Sequence, residues 1–405
     1  MKTVLITGAT GYVGGALAAR LLQKGQRVIA LSRNDEQGER TAETVRRAAA
    51  GFGLELDSEQ RARLDVLPYE PERLPLERFA SVEAVWHCAA EMTFSPRRLE
   101  SSFRSNVGGT HALYQRVKEA SGGRARFNYV STAYTGGIQA EVIDETLHLS
   151  PKLVNPYFVS KWSAELVLSE LARLPGALPV TLFRPSIVVG HSQTGWYGGK
   201  SFGPYNFIDG FHVSASLGNR TMVLDIDPEI SHNYVGIDDL VDNAVELTIG
   251  GVEQPHFSIV HALGTEMTNA QRIQLIAEEM GLSVAYGRPR TLGDHALATW
   301  VSVNKRFNHK PDVDTRFPFV GGNLRKLLGA RYSEHAIDSD ALRRLTRWYC
   351  EHRLTRVSEK LGVSARMPIG ATRLLHASGL ERVVFPKPQA AKLLLGTMAR
   401  AYLDS

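Results

Sequence analysis

The sequence predicts an α/β fold in which a doubly wound parallel sheet is combined with a smaller, mainly helical C-terminal region. Short apolar or β-branched runs alternate with amphipathic stretches from the N-terminus onward, as in β-α-β units whose strands are parallel. A glycine-rich turn directly follows the first of these runs. The alternation stops near Gly190, and the signals beyond Gly287 are mainly helical, which indicates an appended region.

Apolar runs bounded by turn residues are the predicted strands. They are Val4–Thr7, Arg27–Leu31, Ala62–Val66, Ala84–Cys88, Phe127–Ser131, Val180–Arg184 and Phe257–Val260. The helices predicted between them are Tyr12–Lys24, Asp35–Ala50, Leu99–Ala120 and Tyr157–Leu174. The alternation resumes over residues 234–249. A further helix is expected to begin at Thr268, because Thr268 and Gln271 have the spacing of a capping box.

Composition excludes several classes of protein. With 405 residues, of which 43% are hydrophobic, the chain can bury a large core. The two cysteines, Cys88 and Cys350, are too few for a disulfide framework and lack the spacing of a zinc site, so we expect no metal. No secretory leader and no apolar stretch of bilayer length is visible, so we expect no transmembrane segment and a cytoplasmic location.

The net charge of +5 is unevenly distributed along the chain. From Val284 onward there are 21 Lys and Arg residues against 10 Asp and Glu residues, whereas acidic residues are in excess before that point. A basic region can attract a phosphorylated ligand, an acidic carrier protein or an anionic membrane surface, and an ordinary solvated helical surface explains it equally well. We expect no nucleic-acid partner, because neither an aromatic platform nor the spacing of a known nucleic-acid-binding motif accompanies the charge.

The turn after the first strand has the spacing of a dinucleotide-binding loop. In TGATGYVGG, Gly8, Gly11 and Gly14 stand three apart and lead into a helix rich in Ala and Leu. Glycines allow a tight turn and a close approach of backbone N–H groups to a pyrophosphate, and the helix N-terminus carries a partial positive charge. Because the loop lies between a predicted strand and a predicted helix, it indicates a Rossmann-type dinucleotide-binding domain.

We divide the chain accordingly into two regions. The NADP-binding Rossmann domain is expected to comprise residues 1–190 together with about 234–265, and the substrate-binding and C-terminal helical region residues 191–233 and 266–405. The stretch from His191 to Phe211 is rich in glycine and aromatic residues, which indicates a loop over a site. Residues 386–405 contain an amphipathic candidate helix that we expect to pack against the body of the protein.

The end of the second strand predicts which dinucleotide binds. An acidic residue there would bind the ribose hydroxyls, whereas a cation would accept a 2′-phosphate. The residues present are Ser32 and Arg33, so we expect NADP(H) to be preferred. Asp35 is close enough in sequence to be the acidic residue that binds the ribose hydroxyls, so NAD(H) is an alternative. Arg40 is a second candidate phosphate contact. Asp65, expected at the end of the third strand, is a candidate for either an adenine contact or a cap.

Residues in the middle of the chain predict proton transfer to a substrate oxygen. Tyr157 and Lys161 are four apart at the start of a predicted helix, so their side chains share one face. A phenol with a pKa of about 10 is a poor acid or base at neutral pH, but an adjacent ammonium and an oxidised nicotinamide are both expected to stabilise the phenolate and lower that pKa. Ser131 and Thr132 follow a predicted strand at the ligand-binding edge of the sheet. Thr132 is our choice for the hydroxyl that orients the substrate oxygen, and Lys161 would also hold the nicotinamide ribose.

Taken together, these motifs resemble the extended class of the short-chain dehydrogenase/reductase superfamily. TGATGYVGG, HCAA, NVGGT, VST, the tyrosine–lysine pair and RPSIVVG occur in the order of that family from residue 1 to about Gly281. The resemblance implies catalytic roles for Thr132, Tyr157 and Lys161. The residues expected at the cofactor are Gly8, Thr10, Gly11, Tyr12, Val13, Gly14, Ser32, Arg33, Asp65, Val66, Cys88, Ala89, Ala90, Asn106, Tyr157, Lys161, Pro185, Ser186 and Val188.

Within that class, HCAAEMTF, VSTAY, SKWSAE and GHSQTGW are most similar to the branch of thioester reductases and fatty acyl-CoA reductases. FPFVGGNLRKLLG and SDALRRLTRWY resemble the C-terminal region of fatty acyl reductases, whereas His191 stands where the branch often has an acidic residue. The resemblance implies NADPH-dependent reduction of an acyl thioester to an aldehyde or alcohol. The acyl group would be bound to coenzyme A or to an acyl carrier protein.

Other functions of the same machinery stay open. A ketone or secondary-alcohol oxidoreductase and a sugar-nucleotide epimerase or dehydratase are alternatives, with specificity expected in the residues from His191 to Ile230. A non-catalytic NADP(H) sensor is a remote alternative, since such proteins usually lose the tyrosine or the lysine. The two long helices that flank the middle strands often form a dimer face in this superfamily, so the resemblance also makes a homodimer an expectation.

Overall fold

The computed structural model describes residues 1–70, 73, 76–138, 140–216, 218–298, 301 and 315–354. Its contacts divide the chain into two compact units. The first unit contains residues 1–199, 233–266 and 316–337, and the second contains residues 200–232, 267–315 and 338–405. Within the residues that the structure describes, no helix is both long enough and apolar enough to span a membrane.

The strands form one large sheet and two small ones. They are β1 (Thr3–Thr7), β2 (Arg27–Ser32), β3 (Leu64–Pro68), β4 (Val82–His87), β5 (Arg126–Val130), β6 (Val180–Pro185), β7 (Ile187–Val189), β8 (Thr221–Leu224), β9 (Ser231–Gly236), β10 (Phe257–Ala262), β11 (Thr265–Thr268) and β12 (Ser283–Tyr286). The large sheet has the order β10-β6-β5-β4-β1-β2-β3, and all of its neighbouring strands are parallel. The small sheets are β11-β9-β7 and the pair β12-β8.

Helices connect these strands and cover the large sheet. Those whose bounds are defined are α1 (Tyr12–Gln23), α2 (Glu39–Gly51), α3 (Ser58–Ala62), α4 (Leu99–Phe103), α5 (Gly109–Ser121), α6 (Pro156–Leu171), α7 (Tyr205–Ser216), α8 (Ile237–Ile249), α9 (Asn269–Glu279), α10 (Asn323–Leu328) and α11 (Ser339–Tyr349). A π-helical turn, Arg104–Gly108, joins α4 to α5.

The core lies on both faces of the large sheet. Val4 and Ile6 of β1 are fully buried on one face, in a cluster with α1 and α8 residues such as Leu17. Leu5 is fully buried on the other face, in a cluster with α5 and α6 residues such as Leu113. A strand covered on both faces needs consecutive apolar residues, which is why β1 is continuously hydrophobic in the sequence. The strand order reverses between β1 and β4, and parallel sheets bind ligands at the carboxyl ends of strands next to such a reversal.

Two of the predicted boundaries that differ from the structure concern the edge of the sheet where the candidate site lies. The third strand is β3, Leu64–Pro68, two residues later than predicted. The second helix begins at Glu39 rather than at Asp35, because the Asp35 carboxylate accepts hydrogen bonds from the backbone N–H groups of Arg40 and Thr41, at 3.0 and 2.9 Å. Asp35 therefore caps the helix from outside and is not part of it.

The first unit includes two segments that we expected in the substrate-binding region, residues 191–199 and 316–337. The second of these segments is held in the first unit by backbone and carboxylate contacts. Phe319 forms a parallel bridge with Ile143. The Glu145 carboxylate accepts hydrogen bonds from the backbone N–H groups of Gly322 and Asn323, at 2.9 and 2.8 Å.

The second unit contains helices α7, α9 and α11 and the parallel pair β8–β12. The capping box predicted at Thr268 is confirmed: the Gln271 N–H donates to Thr268 Oγ1 at 3.1 Å, and the Thr268 N–H donates to Gln271 Oε1 at 2.9 Å. The predicted amphipathic helix in residues 386–405 lies outside the described residues.

Candidate active site

The glycine loop joins β1 to α1 and is too crowded for side chains. Gly8 has φ = 74°, and a Cβ there would lie 2.8 Å from the backbone N of Ala89. A Cβ at Gly14 would lie 2.4 Å from the carbonyl oxygen of Gly8. The N–H of Gly11 donates to that same oxygen at 2.9 Å. The three glycines thus allow the close packing of α1 on the loop that a pyrophosphate-binding turn needs.

Of the other predicted loop residues, Thr10 precedes α1, and Tyr12 and Val13 are its first two residues. Thr10 and Val13 are half-buried, and Val13 packs against the core under the loop. The Tyr12 hydroxyl donates to the carbonyl oxygen of Val189 at 2.8 Å. The Tyr12 ring contacts those of Trp196 and Tyr197, with centroid distances of 5.4 and 4.9 Å. The loop is therefore packed against the segment that follows β7.

A cavity of about 650 Å³ lies at the carboxyl edge of the sheet, where β2, β3 and β4 end. It is lined by Arg33, Tyr69, Glu70, Arg73, Ala89, Ala90, Glu91, Arg104, Ser105, Asn106, Gly108, Gly109 and Ala112. Arg33 is exposed, whereas the neighbouring Ser32 is buried and its hydroxyl has no hydrogen-bond partner within the described part of the chain. The predicted residues Arg33, Ala89, Ala90 and Asn106 are thus brought together around one space.

Asp65 does not lie at this edge. Because β3 runs from Leu64 to Pro68, Asp65 is its second residue and forms ion pairs with Arg78 and Arg27. The reason for assigning it to adenine, its position at the end of the strand, is therefore wrong. Tyr69 and Glu70 follow the strand instead and line the cavity, and the shift by two residues explains why they were missed.

Asn106 lies in the π-helical turn and is fully buried. Its side-chain oxygen accepts a hydrogen bond from the N–H of Glu91 at 2.7 Å, and its amide donates to the carbonyl of Glu91 at 3.0 Å. The same amide donates to the hydroxyl of Ser160 at 2.9 Å. Asn106 therefore connects the loop after β4 to the helix that carries Tyr157 and Lys161.

The predicted catalytic residues converge at the ends of β5 and α6. Thr132 caps a short 3-10 helix after β5, and its hydroxyl makes only long hydrogen bonds, 3.5 Å to the carbonyl of Pro185 and 3.4 Å from the N–H of Tyr134. Tyr157 lies in the first turn of α6. Lys161, one turn later, is 1% exposed, and its Nζ lies 6.0 Å from the centre of the Tyr157 ring. The spacing predicted from the sequence therefore produces adjacent side chains.

The protonation of this pair is governed mainly by burial. Burial raises the pKa of Tyr157 to about 12 in the protein alone, whereas the expected lowering involves an oxidised nicotinamide as well as the ammonium and stays a prediction for the complex. Lys161 Nζ donates instead to the carbonyl of Val130 at 2.6 Å and lies 4.5 Å from the centre of the Tyr129 ring. Burial lowers the pKa of Lys161 to about 8, against the opposing effect of Cys88 and Glu165.

The remaining predicted cofactor residues lie in or after four strands, and one of them, Val66, is in β3 and packs against the core. Ser131 and Ser186 are buried, and their hydroxyls have no hydrogen-bond partner among the residues that the structure describes. Ser186 follows Pro185, the last residue of β6, and Val188 is half-buried in β7. Burial raises the pKa of Cys88 to about 12, so its thiol is neutral.

Phe94 is a site residue that the sequence reasoning missed. Its ring lies against that of Tyr157, with centroids 6.1 Å apart and planes at 73°. The loop that carries it begins at Glu91, whose side chain binds Arg98 at 2.7 Å and Ser101 at 2.9 Å. No periodicity or motif spacing indicates such a contact; the available signal was that Phe94 is the last residue of HCAAEMTF, one of the stretches that resemble the thioester reductase branch.

His191 lies near a group of possible metal ligands. Asp238, Asp239 and His335 have ligand atoms within 4.8 Å of one another. The Asp238 carboxylate accepts hydrogen bonds from the N–H and hydroxyl of Ser192, at 3.0 and 2.5 Å, and Asp239 accepts from His335 Nδ1 at 2.6 Å. These bonds occupy the carboxylate oxygens at the start of α8, and we assign the group no metal.

A family model of NAD-binding domains, described as Male sterility protein, matches residues 6–226, which is more than half of the chain. The chain belongs to this family. Both the resemblance to the extended short-chain dehydrogenases/reductases and the predicted fold class are confirmed. The chain accordingly contains an NAD-binding domain of the type that NAD(P)-dependent oxidoreductases, epimerases and dehydratases share.

Individual relatives include proteins of different functions. The non-ribosomal peptide synthetase CmlP of Streptomyces venezuelae is 32% identical over 194 residues, 47% of this chain and only 18% of CmlP. The UDP-glucose 4-epimerase of Haemophilus influenzae is 26% identical over 251 residues, 61% of this chain and 71% of the epimerase. The crystal structure of the terminal R domain from the myxalamid PKS-NRPS biosynthetic pathway has a TM-score of 0.67 at 20% identity and covers 87% of this chain and 92% of its own. At that identity the likeness concerns the fold.

The residues present fit the dinucleotide that the family implies. The glycine loop leaves open the space that Cβ atoms would fill, and buried hydroxyls without partners follow β5 and end β2 at the same edge of the sheet. Buried polar groups are normally hydrogen-bonded, so such hydroxyls are suited to a polar ligand. The loop would hold the pyrophosphate, and Ser32 and Arg33 would face the adenosine ribose.

Proposed function

We propose that the chain is an NADPH-dependent reductase of acyl thioesters, which it converts to aldehydes or alcohols. The observation that carries this proposal is the position of Phe94 against Tyr157, the proposed proton donor. An apolar ring beside the reacting oxygen suits an acyl chain and offers no hydrogen bond to a hydroxylated sugar ring. The resemblance to thioester reductases and fatty acyl-CoA reductases supports the same choice.

The side chains suit proton delivery to a carbonyl oxygen. The bound dinucleotide would supply hydride to the carbonyl carbon. Tyr157 is protonated at neutral pH and therefore has a proton to donate as negative charge develops on the oxygen, although burial, which raises its pKa to about 12, makes the phenol a weaker acid than in water. The Thr132 hydroxyl, whose present hydrogen bonds are long, can orient that oxygen. Lys161 adds a positive charge behind the phenol and would hold the nicotinamide ribose.

The preference for NADPH over NADH is part of the proposal and rests on the charge of the cavity. Arg33, Arg73 and Arg104 line it, and guanidinium groups bind phosphate through several N–H donors. We expect Arg33→Ala to raise the Kd of NADPH about tenfold or more and to leave that of NADH nearly unchanged. Arg46→Ala, at an exposed arginine paired with Glu43, is the matched control. A preference unaffected by Arg33→Ala would contradict this assignment.

The reaction is tested by following NADPH absorbance with a panel of acyl-CoAs and carrier-bound acyl thioesters. We expect consumption of NADPH with release of a free thiol, and Tyr157→Phe should lower kcat by about 10²- to 10⁴-fold. Tyr286→Phe, at a tyrosine that is 40% exposed, should leave kcat unchanged. If no thioester consumes NADPH, the thioester part of the proposal fails.

The second candidate is a sugar-nucleotide epimerase or dehydratase, favoured by the match to an epimerase over 61% of this chain. Turnover of a sugar nucleotide without net consumption of cofactor would support the epimerase or dehydratase.

A ketone reductase or secondary-alcohol oxidoreductase is a further alternative. Turnover of a small ketone by the wild type, with Tyr157→Phe inactive, would support that function. Tight dinucleotide binding with no turnover on any panel would support a non-catalytic sensor, although Tyr157 and Lys161 are both retained.

A further inference from the structure

His87 ends β4 and is 1% exposed, yet neither proton transfer nor cofactor contact accounts for it. Both of its ring nitrogens are hydrogen-bonded: Nδ1 lies 2.6 Å from the hydroxyl of Thr7, and Nε2 lies 2.9 Å from the hydroxyl of Thr110. Thr7 is the residue before the glycine loop, and Thr110 is the second residue of α5. The imidazole thus spans the sheet edge between the loop and the helix.

The neighbours of the two threonines determine which nitrogen carries the proton. The Thr110 hydroxyl lies 2.6 Å from the carbonyl oxygen of Asn106, which can only accept, so its single proton is used there. Thr110 must therefore accept a hydrogen bond from His87, and Nε2 bears the proton. In the neutral ring Nδ1 is then an acceptor, and the Thr7 hydroxyl donates to it.

The doubly protonated ring does not fit these partners. Thr7 Oγ1 already accepts a hydrogen bond from the N–H of Ala89 at 3.1 Å. If Nδ1 also carried a proton, the Thr7 hydroxyl would lose its acceptor, and a positive charge would be buried near Lys161. Burial and Lys161 lower the pKa of His87 to about 3, in agreement with the neutral form.

The two ends of this hydrogen-bond chain are parts of the cofactor site. Ala89 lies against Gly8, where a Cβ would approach its backbone N to 2.8 Å. At the other end, Asn106 binds the loop after β4 and the hydroxyl of Ser160, the neighbour of Lys161 in α6. The bonds therefore run in one direction from the Ala89 N–H through Thr7, His87 and Thr110 to the Asn106 carbonyl.

We propose that His87 is a positioning residue, held as the neutral Nε2–H tautomer, that fixes the spacing between the dinucleotide loop and the π-helical turn of Asn106. The proposal rests on dinucleotide binding and not on the identity of the substrate. A change at Thr110, which is distant in sequence from the glycine loop, should consequently weaken binding at that loop.

The tautomer is tested directly on the full chain. Protein labelled with ¹⁵N-histidine contains 13 imidazoles, and the His87 signals are assigned by their shift in Thr110→Ser. Two-bond ¹⁵N–¹H correlations should show a protonated Nε2 and an unprotonated Nδ1 with no titration between about pH 5 and 9. A protonated Nδ1, or a titration within that range, overturns the proposal.

The coupling is tested with Thr110→Val and Thr110→Ser, measuring the Kd of NADPH and of NADH by fluorescence titration. Thr110→Val leaves the Nε2 N–H without a partner, and we expect Kd to rise about 5- to 30-fold. Thr110→Ser retains the hydroxyl and should restore the wild-type value. If both variants bind as the wild type does, or both bind equally weakly, the proposal is overturned.

Thr248 provides a matched control for loss of a buried threonine hydroxyl. It donates to the carbonyl of Ala244 at 2.7 Å and accepts from the indole N–H of Trp86 at 2.8 Å, the same pair of bonds that Thr110 makes. Thr248→Val should lower the unfolding midpoint about as much as Thr110→Val without raising Kd, and a similar rise in Kd would overturn the proposal. If wild-type protein binds neither NADPH nor NADH, the proposed function fails. The tautomer measurement on His87 still decides between the proposed hydrogen-bond arrangement and its alternative in that case. It also decides between them if Thr110→Val does not fold.

Discussion

Gly14→Ala should weaken dinucleotide binding and destabilise the first unit, although alanine normally favours a helix. The new Cβ would lie 2.4 Å from the Gly8 carbonyl oxygen and 2.7 Å from its carbonyl carbon. Ordinary contact begins at 3.4 Å, so α1 and the loop would have to separate by about 1 Å. Both contacts are backbone atoms, which cannot rotate away as a side chain would.

Two energetic terms oppose each other in this variant. The helix propensity of alanine is worth about 1 kcal/mol over glycine, whereas overpacking of this kind costs about 1–3 kcal/mol. Displacement of the N–H groups at the start of α1 also weakens hydrogen bonds to a charged pyrophosphate, each worth about 1.5–3 kcal/mol. We therefore expect a rise in the Kd of NADPH of at least about tenfold.

Fluorescence titration measures the Kd, and thermal unfolding measures the stability. Gly108→Ala is the control for stability: Gly108 is also helical, but a Cβ there meets nothing within 4 Å. That variant should be as stable as the wild type or more so, by up to about 1 kcal/mol. The reasoning is refuted if Gly14→Ala binds NADPH within threefold of the wild type and unfolds at the same temperature.

Three further predictions concern stability, measured by urea denaturation. Glu165→Gln should lower the free energy of unfolding by about 3–5 kcal/mol, because the ion pair of Glu165 with Arg184 is fully buried. Glu170→Gln, on the same helix but with an exposed arginine partner, should lower it by less than about 1 kcal/mol, and equal effects would contradict this account. Because burial lowers the pKa of Lys161 from 10.5 to about 8, the unfolded chain binds the extra proton between these values. The stability of the wild type relative to Lys161→Met should therefore rise by up to about 1.4 kcal/mol per unit between pH 8 and 10, and a flat difference would disprove it. Thr268→Ala should cost about 1 kcal/mol through loss of the helix cap, with Thr268→Ser close to the wild type; no loss in the alanine variant would count against the cap.

The parts of the site that depend on local spacing could be predicted from the sequence. Glycines three apart after an apolar run produce a loop whose geometry is set within a few residues. Tyr157 and Lys161 share a helix face because they are four residues apart. Thr132 was predicted because polar residues at the ends of parallel strands meet at one edge of the sheet.

Predictions that depended on where an element ends were less accurate. The observed β3 lies two residues later than the predicted strand. Because of this shift, Tyr69 and Glu70 line the cavity at the end of the strand, where the prediction had placed Asp65. The apolar pattern of a strand continues past the point where its ladder of hydrogen bonds stops, so composition does not mark the end. The effect of burial on the Tyr157 pKa was not predicted either, because burial of the phenol is a property of the packed site.

What the sequence by itself determined is the class of fold and the local geometry of the glycine loop and of the Tyr157–Lys161 pair, since each follows from periodicity or short spacing. Only the tertiary structure decided that Phe94 lies against Tyr157 and that the His87 imidazole connects Thr7 to Thr110. Thr7 and Thr110 are more than 100 residues apart in the chain. Their contacts depend on which strands are neighbours in the sheet, and that order is set by the packing of the whole unit.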